Sequence, residues 1–288
     1  MGLDHRRLYP KVIAQYIFNM VKTDPTISIR VLQRGVENHF GYKASYRKVW
    51  LAKQRVITRI YGDWEESYNE LPRWLFAMQM YLPGKIQYIP WPGAIATVMF
   101  LQVFWTFPPC VEAFKHCKPL ISIDGTHLYG IYGGTLLMAI AQDGNANILP
   151  IAFAIVEEET KEAWSFFLLY LQQHVTPKPD VLVILDRLKS VDAALNADES
   201  LWKPLHAFQV FCARHIAANF MSHFKNKDLK KILYADEGRQ FGHMTTNISE
   251  CINAVMKGSH NLPIITLVKS SYFYLGELFA RKGSEALA

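Results

Sequence analysis

Three apolar segments between residues 120 and 156 follow one another through short turns, and they constrain the fold more than any other part of the chain. Leu120–Tyr129, Thr135–Gln142 and Ile148–Val156 are predicted strands, because each is apolar and bounded by turn-forming residues. The triplet Asp143-Gly144-Asn145 is a strong hairpin signal between the second and the third. Strands joined in this way predict an antiparallel meander.

Helices and strands then alternate. Thr160 can cap a helix with one apolar face, and the continuous apolar run Val181–Leu185 is typical of a strand buried on both sides. A short helix is predicted from about Ser190 and a fifth strand at Phe208–Cys212, with further helices from about Arg214 and Asn247. The order β-β-β-α-β-α-β-α predicts an α/β protein (an α+β mixed sheet) with a ribonuclease-H-like fold, in which the first and fourth strands are neighbours.

The first 82 residues are predicted to be helical. A short turn at Phe40-Gly41-Tyr42 precedes Ser45, which can cap a helix that carries five basic residues, Arg47, Lys48, Lys53, Arg55 and Arg59. Helix, short turn and basic helix are compatible with a helix-turn-helix DNA-binding region. A surface helix with a solvated basic face fits the same pattern. The predicted domains are therefore 1–82, a proline-rich junction at 83–118, and an α/β domain at 119–283.

Charge and composition limit the classes of protein. The net charge of +6 suits a polyanionic partner such as nucleic acid, although a basic surface alone does not require one. Four cysteines without a CxxC pair fit a reducing compartment. The longest apolar stretch, Ala94–Phe107, is shorter than the roughly 20 residues of a membrane span. No membrane partner is expected.

Three acidic residues stand where the predicted fold can bring them together. Asp124 lies inside the first strand, Asp186 ends the fourth, and Glu250 lies on a late helix. A carboxylate within a central strand is costly unless it is compensated, and two close carboxylates attract a divalent cation. The pattern predicts a site for Mg²⁺ or Mn²⁺ that catalyses phosphoryl transfer. Each acid also has an ordinary structural explanation: a turn for Asp124, an ion pair with Arg187 for Asp186, and a helix-surface charge for Glu250.

A second cluster is weaker. Cys212 and His215 have the spacing of half a zinc site, and His223 or His243 could extend it. Because no four-ligand set occurs at local spacing, a stable zinc site is not expected. His127 lies three residues after Asp124, on the opposite face of the strand, and is interpreted as a packing residue or a DNA contact.

Several of these segments together resemble the transposase domain of Mutator-like elements (MULE, of the MuDR type). Ile121–Glu158 carries most of the likeness, and Phe104–Pro119, Ala163–Leu168, the CxxH pair and Asn247–Asn253 continue it in the same order over roughly residues 30–283. The resemblance implies that Asp124, Asp186 and Glu250 are the catalytic and metal-binding Asp-Asp-Glu triad. It also implies nicking at terminal inverted repeats, strand transfer into double-stranded target DNA, and a role for Cys212 and His215 in the catalytic core.

The sequence also departs from the family pattern. Lys225–Lys231 runs almost directly into Tyr234–Gly238, where relatives carry a long helical insertion, and Leu185 and Leu188 replace residues that are often polar. Upstream and downstream zinc modules are absent from the sequence. These departures predict a partial copy of a transposase. The alternatives are a non-catalytic, domesticated DNA-binding or transcription-regulating protein, and a relic without function. A nuclear location follows from the substrate, and a homo-oligomer is expected by analogy alone.

Overall fold

The computed structural model describes residues 9–81, 87–90 (backbone only), 102–131, 133–176, 180–185, 188–198, 200, 202–203, 207–212, 216, 221–224, 252, 256 and 259–287. The chain forms two compact units. The first comprises residues 1–75, 128–133 and 254–288, and the second comprises residues 76–127 and 134–253.

The amino-terminal helices confirm the prediction of a helical start. They are α1 (Pro10–Thr23), α2 (Ile29–Phe40), α3 (Tyr46–Tyr61) and α4 (Trp64–Tyr81). Ser45 begins α3 as expected, since its Oγ accepts a hydrogen bond from the Lys48 N–H at 3.4 Å. Gly41 ends α2 with φ of 65°, a left-handed conformation in which glycine has no steric penalty.

The core of the first unit lies among α1, α2 and α3. Apolar residues at helical spacing are buried there: Ile13, Ile17, Val21, Leu32, Val36, Val49, Val56 and Ile57. A short 3₁₀ helix at Ser259–Asn261 and the long helix α8 (Ile264–Leu287) also belong to this part of the chain. Ser67 Oγ in α4 accepts a hydrogen bond from the Ile265 N–H at 2.9 Å, which ties the beginning of α8 to α4.

The second unit contains a seven-stranded mixed sheet with the order β1-β2-β5-β4-β3-β6-β7. Its strands are β1 (Gln87–Pro90), β2 (Val103–Thr106), β3 (Leu120–His127), β4 (Thr135–Gln142), β5 (Ile148–Val156), β6 (Val181–Leu185) and β7 (Ala207–Phe211). The predicted meander is confirmed, because β3 pairs antiparallel with β4 and β4 with β5. The α/β class is confirmed as well.

Short helices connect the strands of this unit. They are α5 (Pro108–Phe114), α6 (Lys161–His174) and α7 (Lys189–Leu195). Thr160 caps α6 as predicted, with its Oγ1 accepting a hydrogen bond from the Ala163 N–H at 3.2 Å. On one side of the sheet Phe104 lies 6.0 Å from Phe167 of α6, and Trp105, the next residue of β2, stacks on Phe153 at 5.4 Å. Every residue of β4 is buried, as is typical of a central strand that is covered on both faces.

Three boundaries differ from the predictions. β3 ends at His127 rather than at Tyr129, because the Tyr129 N–H donates to the His260 carbonyl at 2.9 Å instead of joining the sheet. The fifth predicted strand begins and ends one residue earlier, at Ala207 and Phe211. The sequence did not predict strand β2, which lies in the proline-rich junction. The helices predicted from Arg214 and Asn247 fall largely outside the described residues.

One of the basic residues predicted to bind DNA on helix α3 is buried. Lys53 was predicted to lie with four other basic residues on a DNA-binding face, but it is only 4% exposed. Its Nζ donates to the Ile27 carbonyl at 2.9 Å, and burial lowers its pKa. Lys53 lies four residues after Val49 and four before Ile57, so the helical periodicity directs it to the buried side.

Among the helices that the structure describes, none combines the length and the hydropathy that a bilayer crossing requires.

Candidate functional site

Asp124 lies on an inner strand, where β3 changes from buried to partly exposed. The residues Leu120–Ile123 are buried, whereas Asp124, Gly125 and Thr126 are partly buried. Asp124 is paired across the ladder with Met138 of β4, and its Oδ1 accepts a hydrogen bond from the Gly125 N–H at 2.9 Å. The Asp124 carboxylate is therefore accessible to solvent, although β3 itself pairs with β4 on one side and β6 on the other.

The carboxyl ends of three parallel strands meet at this edge of the sheet. β3 is parallel to β6 and β6 is parallel to β7, with Ile121 opposite Val183 and Val183 opposite Gln209. The first and fourth predicted strands, β3 and β6, are therefore neighbours, as predicted. In open α/β sheets, ligands bind outside the carboxyl ends of the strands. Asp124 lies three residues before the end of β3 and two residues beyond Ser122, the last residue of β3 that pairs with β6.

The other two members of the predicted triad cannot be placed. Asp186 directly follows Leu185, the last residue of β6, but Asp186 and Glu250 both lie outside the described residues, as does His215. The assignment of all three therefore stays a prediction. Of the five residues predicted for the catalytic core, the structure describes Asp124 and Cys212.

Cys212 lies beside the end of β6. Its backbone N–H donates to the Leu185 carbonyl at 2.9 Å, and the residue is 9% exposed. The structure thus brings the cysteine of the CxxH pair next to the strand that precedes Asp186. Within the part of the chain that the structure describes, no group of three or more His, Cys, Asp or Glu side chains is arranged to hold a metal ion.

His127 lies at the end of β3 and is exposed. Its Nδ1 is 3.4 Å from the Thr135 Oγ1 of the neighbouring strand, a distance at the long limit of a hydrogen bond. This surface position suits the predicted DNA contact better than a packing role in the core.

Glu159 was not predicted from the sequence as a site residue. An ideal Cβ built on Gly125 would lie 2.6 Å from Glu159 Oε1 and 2.8 Å from its Cδ. The Glu159 carboxylate therefore occupies the position on β3 where a side chain of residue 125 would be. The signal in the sequence was the run Glu157-Glu158-Glu159 immediately before the helix cap Thr160, together with a glycine next to Asp124.

A basic stripe lies on α3 in the first unit. Arg47, Arg55 and Arg59 are exposed and Lys48 is partly exposed, whereas Lys53 is buried as described above. Arg59 also lies over the Phe18 ring of α1, with its Cζ 4.8 Å from the ring centre. The sequence of α3 contains no aspartate or glutamate, so no acidic neighbour on the same helix offsets this charge.

Comparison with protein families matches residues 120–219 to the MULE transposase domain. Comparison with curated proteins gave no match. Among solved structures, one chain of a cryo-EM structure of a simian T-cell lymphotropic virus intasome in complex with PP2A regulatory subunit B56 gamma is 12% identical, with a TM-score of 0.23. That alignment covers 42% of this chain and 50% of that chain. A likeness this low carries no argument about fold or activity.

Proposed function

We propose that the protein, whose residues 120–219 match the MULE transposase domain, is the catalytic core of a cut-and-paste DNA transposase. It cleaves DNA at terminal inverted repeats and joins the freed 3′ end to a target. The observation that carries the proposal is the position of Asp124 in the carboxyl half of β3, just beyond the residues that pair with β6, the strand that ends immediately before Asp186 in sequence.

The proposed core has a ribonuclease-H-like fold. The strand order β5-β4-β3-β6-β7 supports it, with an antiparallel meander followed by two strands parallel to the first. This arrangement assigns β3 as the first strand of the core and β6 as the fourth. Of the acids that follow from the family resemblance, Asp124 then lies on the first of these neighbouring strands, and Asp186 follows the other in sequence.

The proposed cofactor is Mg²⁺ or Mn²⁺, held by Asp124, Asp186 and Glu250. The described donor fits, since Asp124 offers a hard carboxylate oxygen at a partly exposed position of β3, and such oxygens are the ligands that Mg²⁺ prefers. When bound, divalent cations of this kind activate the attacking hydroxyl and stabilise the leaving oxygen in an in-line displacement at phosphorus. The chain itself contributes the β3–β4 ladder that fixes Asp124, and the side chain of Asp124 would hold the cation through a carboxylate oxygen.

DNA is the partner implied by a transposase domain. The exposed side chains of Arg47, Arg55 and Arg59 are the proposed phosphate contacts outside the catalytic core, because guanidinium groups bind phosphate oxygens and α3 has no acidic residue to neutralise them. Lys48 lies on the same face. Lys53 is not part of this proposed contact.

A non-catalytic DNA-binding role is the alternative, and the match to a transposase domain gives it no separate support. The proposal includes a nuclear location, because the DNA substrate is chromosomal. It includes a homo-oligomer by analogy with other DNA transposases.

Thermal unfolding with and without Mn²⁺ tests the proposed site. A ligand that binds only the folded state at 100 times its Kd stabilises that state by about 2.7 kcal/mol. Mn²⁺ is therefore expected to raise the unfolding midpoint of the parent and not that of Asp124→Asn. The matched control is Asp198→Asn, which changes the same charge at an exposed position and should retain the rise. An equal rise in the parent and in Asp124→Asn would reject Asp124 as a ligand.

A further inference from the structure

Gly125 is the residue that allows a second carboxylate to approach β3. The three atoms of Glu159 nearest to an ideal Cβ at this position would lie 2.6, 2.8 and 3.1 Å away, and all belong to its carboxylate group. Real Cβ atoms essentially never approach other heavy atoms within 3.0 Å. Any side chain at residue 125 would therefore displace the Glu159 carboxylate.

The local fold holds Glu159 in this position. Thr160 caps α6, and its own N–H donates to the Glu158 carbonyl at 2.9 Å, so the backbone on the carboxyl side of Glu159 is fixed. Of the three successive acids, Glu157 and Glu158 are exposed and Glu159 alone is partly buried. Of these three acids, Glu159 is therefore the one that lies against Gly125.

Asp124 and Glu159 flank the same short piece of β3 backbone. Successive side chains of a strand point to opposite faces, so Asp124 leaves β3 on the face opposite to the one that Glu159 covers. Because consecutive Cα atoms are about 3.8 Å apart, the Glu159 carboxylate lies within about 8 Å of the Asp124 Cα. A cation held by the Asp124 carboxylate would lie beyond that Cα on the other face of β3, about 10 to 13 Å from the Glu159 carboxylate, where a negative charge still attracts a divalent cation at the effective dielectric constant of a protein surface.

We propose that Glu159 is a positioning residue for the cation site at Asp124. Its charge increases the affinity of that site for a divalent cation from across the strand, without ligating the ion, and Gly125 is required to admit it. This inference rests on the proposed function, since it needs a cation at Asp124.

The test is a calorimetric titration of Mn²⁺ into the full chain and two variants. Glu159→Gln keeps the size of the side chain and removes its charge, and is expected to weaken Mn²⁺ binding about three- to tenfold. Glu158→Gln removes the same charge from an exposed neighbour and is expected to change the affinity by less than about twofold. A purely packing role for Glu159 would leave the affinity of Glu159→Gln unchanged, because glutamine has the same shape.

A double-mutant cycle tests the contact itself. Gly125→Ala is expected to lower both the Mn²⁺ affinity and the unfolding midpoint, and to cost less stability when Glu159→Ala has already removed the overlapping carboxylate. Equal Mn²⁺ affinity of Glu159→Gln and Glu158→Gln would overturn this inference alone. Absence of Mn²⁺ binding by the parent would contradict the proposed function, and the inference with it.

Discussion

The backbone N–H of Cys212 donates a hydrogen bond to the carbonyl of Leu185 over 2.9 Å. This bond joins the residue after β7 to the last residue of β6, at the edge of the sheet where β3 carries Asp124. The contribution of Cys212 to this edge is made by its main chain. Its side chain fills a buried position, and Cys212 is not part of a disulfide.

Replacement of Cys212 by alanine should therefore be mild. The backbone hydrogen bond survives in Cys212→Ala, and the loss of one small buried sulfur is expected to cost about 1 kcal/mol of unfolding free energy. Cys110→Ala is the matched control, since Cys110 is also a buried cysteine, and burial raises the pKa of its thiol to about 12. If Cys212 were a ligand of a structural zinc ion, its alanine variant would lose stoichiometric zinc by elemental analysis and be far less stable than Cys110→Ala.

The basic stripe of α3 should bind DNA through phosphates. Arg47→Gln/Arg55→Gln is expected to lower the affinity for duplex DNA and to reduce the slope of log K against log salt concentration by about 2, or about 1 for each lost contact. Lys11→Gln/Lys22→Gln removes the same charge from exposed positions of α1 and should leave the slope nearly unchanged. Fluorescence anisotropy with a labelled duplex over a salt series measures both. Equal slopes for the two double variants would exclude α3 as a specific phosphate-binding face.

The helical and strand pattern of the chain was largely predictable, because the local signals agree with the packing. Thr160 and Ser45 cap helices as their positions predicted, and β4, β5 and β6 have the predicted bounds. β2 was not predictable in the same way. It is a short apolar segment among prolines, and its pairing with β5 is a contact between residues about 50 apart in sequence, which no local pattern encodes.

The site was predictable only in part. Asp124 stands out because an aspartate among β-branched residues needs a reason, whereas Glu159 looks like one of three surface acids before a helix. Its proximity to Gly125 depends on how the start of α6 lies against β3, which is a tertiary relationship. Lys53 shows the reverse case. Its spacing from Val49 and Ile57 already directed it to the core, but charge alone had grouped it with the exposed basic residues.

A buried histidine should make the stability of the first unit depend on pH. His260 is 3% exposed, its Nε2 has no hydrogen-bond partner among the described residues, and burial lowers its pKa to about 4 from 6.5. Between these values the unfolded chain binds a proton that the folded chain does not. Stability is therefore complete above pH 6.5 and is lost as the pH falls from 6.5 to about 4, by up to about 3 kcal/mol.

Urea unfolding at a series of pH values checks this linkage. His260→Phe should flatten the loss of stability below pH 6.5, because phenylalanine does not titrate. His116→Phe removes an exposed histidine and should leave the parental pH dependence in place. Identical pH profiles for the parent and His260→Phe would show that His260 titrates normally in the folded protein.

The hairpin between β4 and β5 contains a residue in an unfavourable backbone conformation. Ala146 has φ of 65°, and it is held there because Asp143 Oδ1 accepts hydrogen bonds from the N–H groups of Asn145 and Asn147, at 2.9 and 2.7 Å. Ala146→Gly should relieve this strain and stabilise the fold by about 0.5–1 kcal/mol. Ala193→Gly, at an exposed position of helix α7, should destabilise it by a similar amount. Denaturant midpoints that fall in both variants would refute the assigned conformation of Ala146.

Metal-dependent cleavage of DNA is the most direct test of the proposed transposase site at Asp124. The parent and Asp124→Asn are incubated with supercoiled plasmid that carries the inverted repeats of a Mutator-like element, in Mg²⁺, in Mn²⁺ and in chelator. We expect nicking by the parent in either metal and none in chelator, with a loss of at least about a hundredfold in Asp124→Asn. Nicking by Asp124→Asn at the parental rate, or nicking by the parent in chelator, would contradict the assignment of Asp124 to a metal-dependent transposase site.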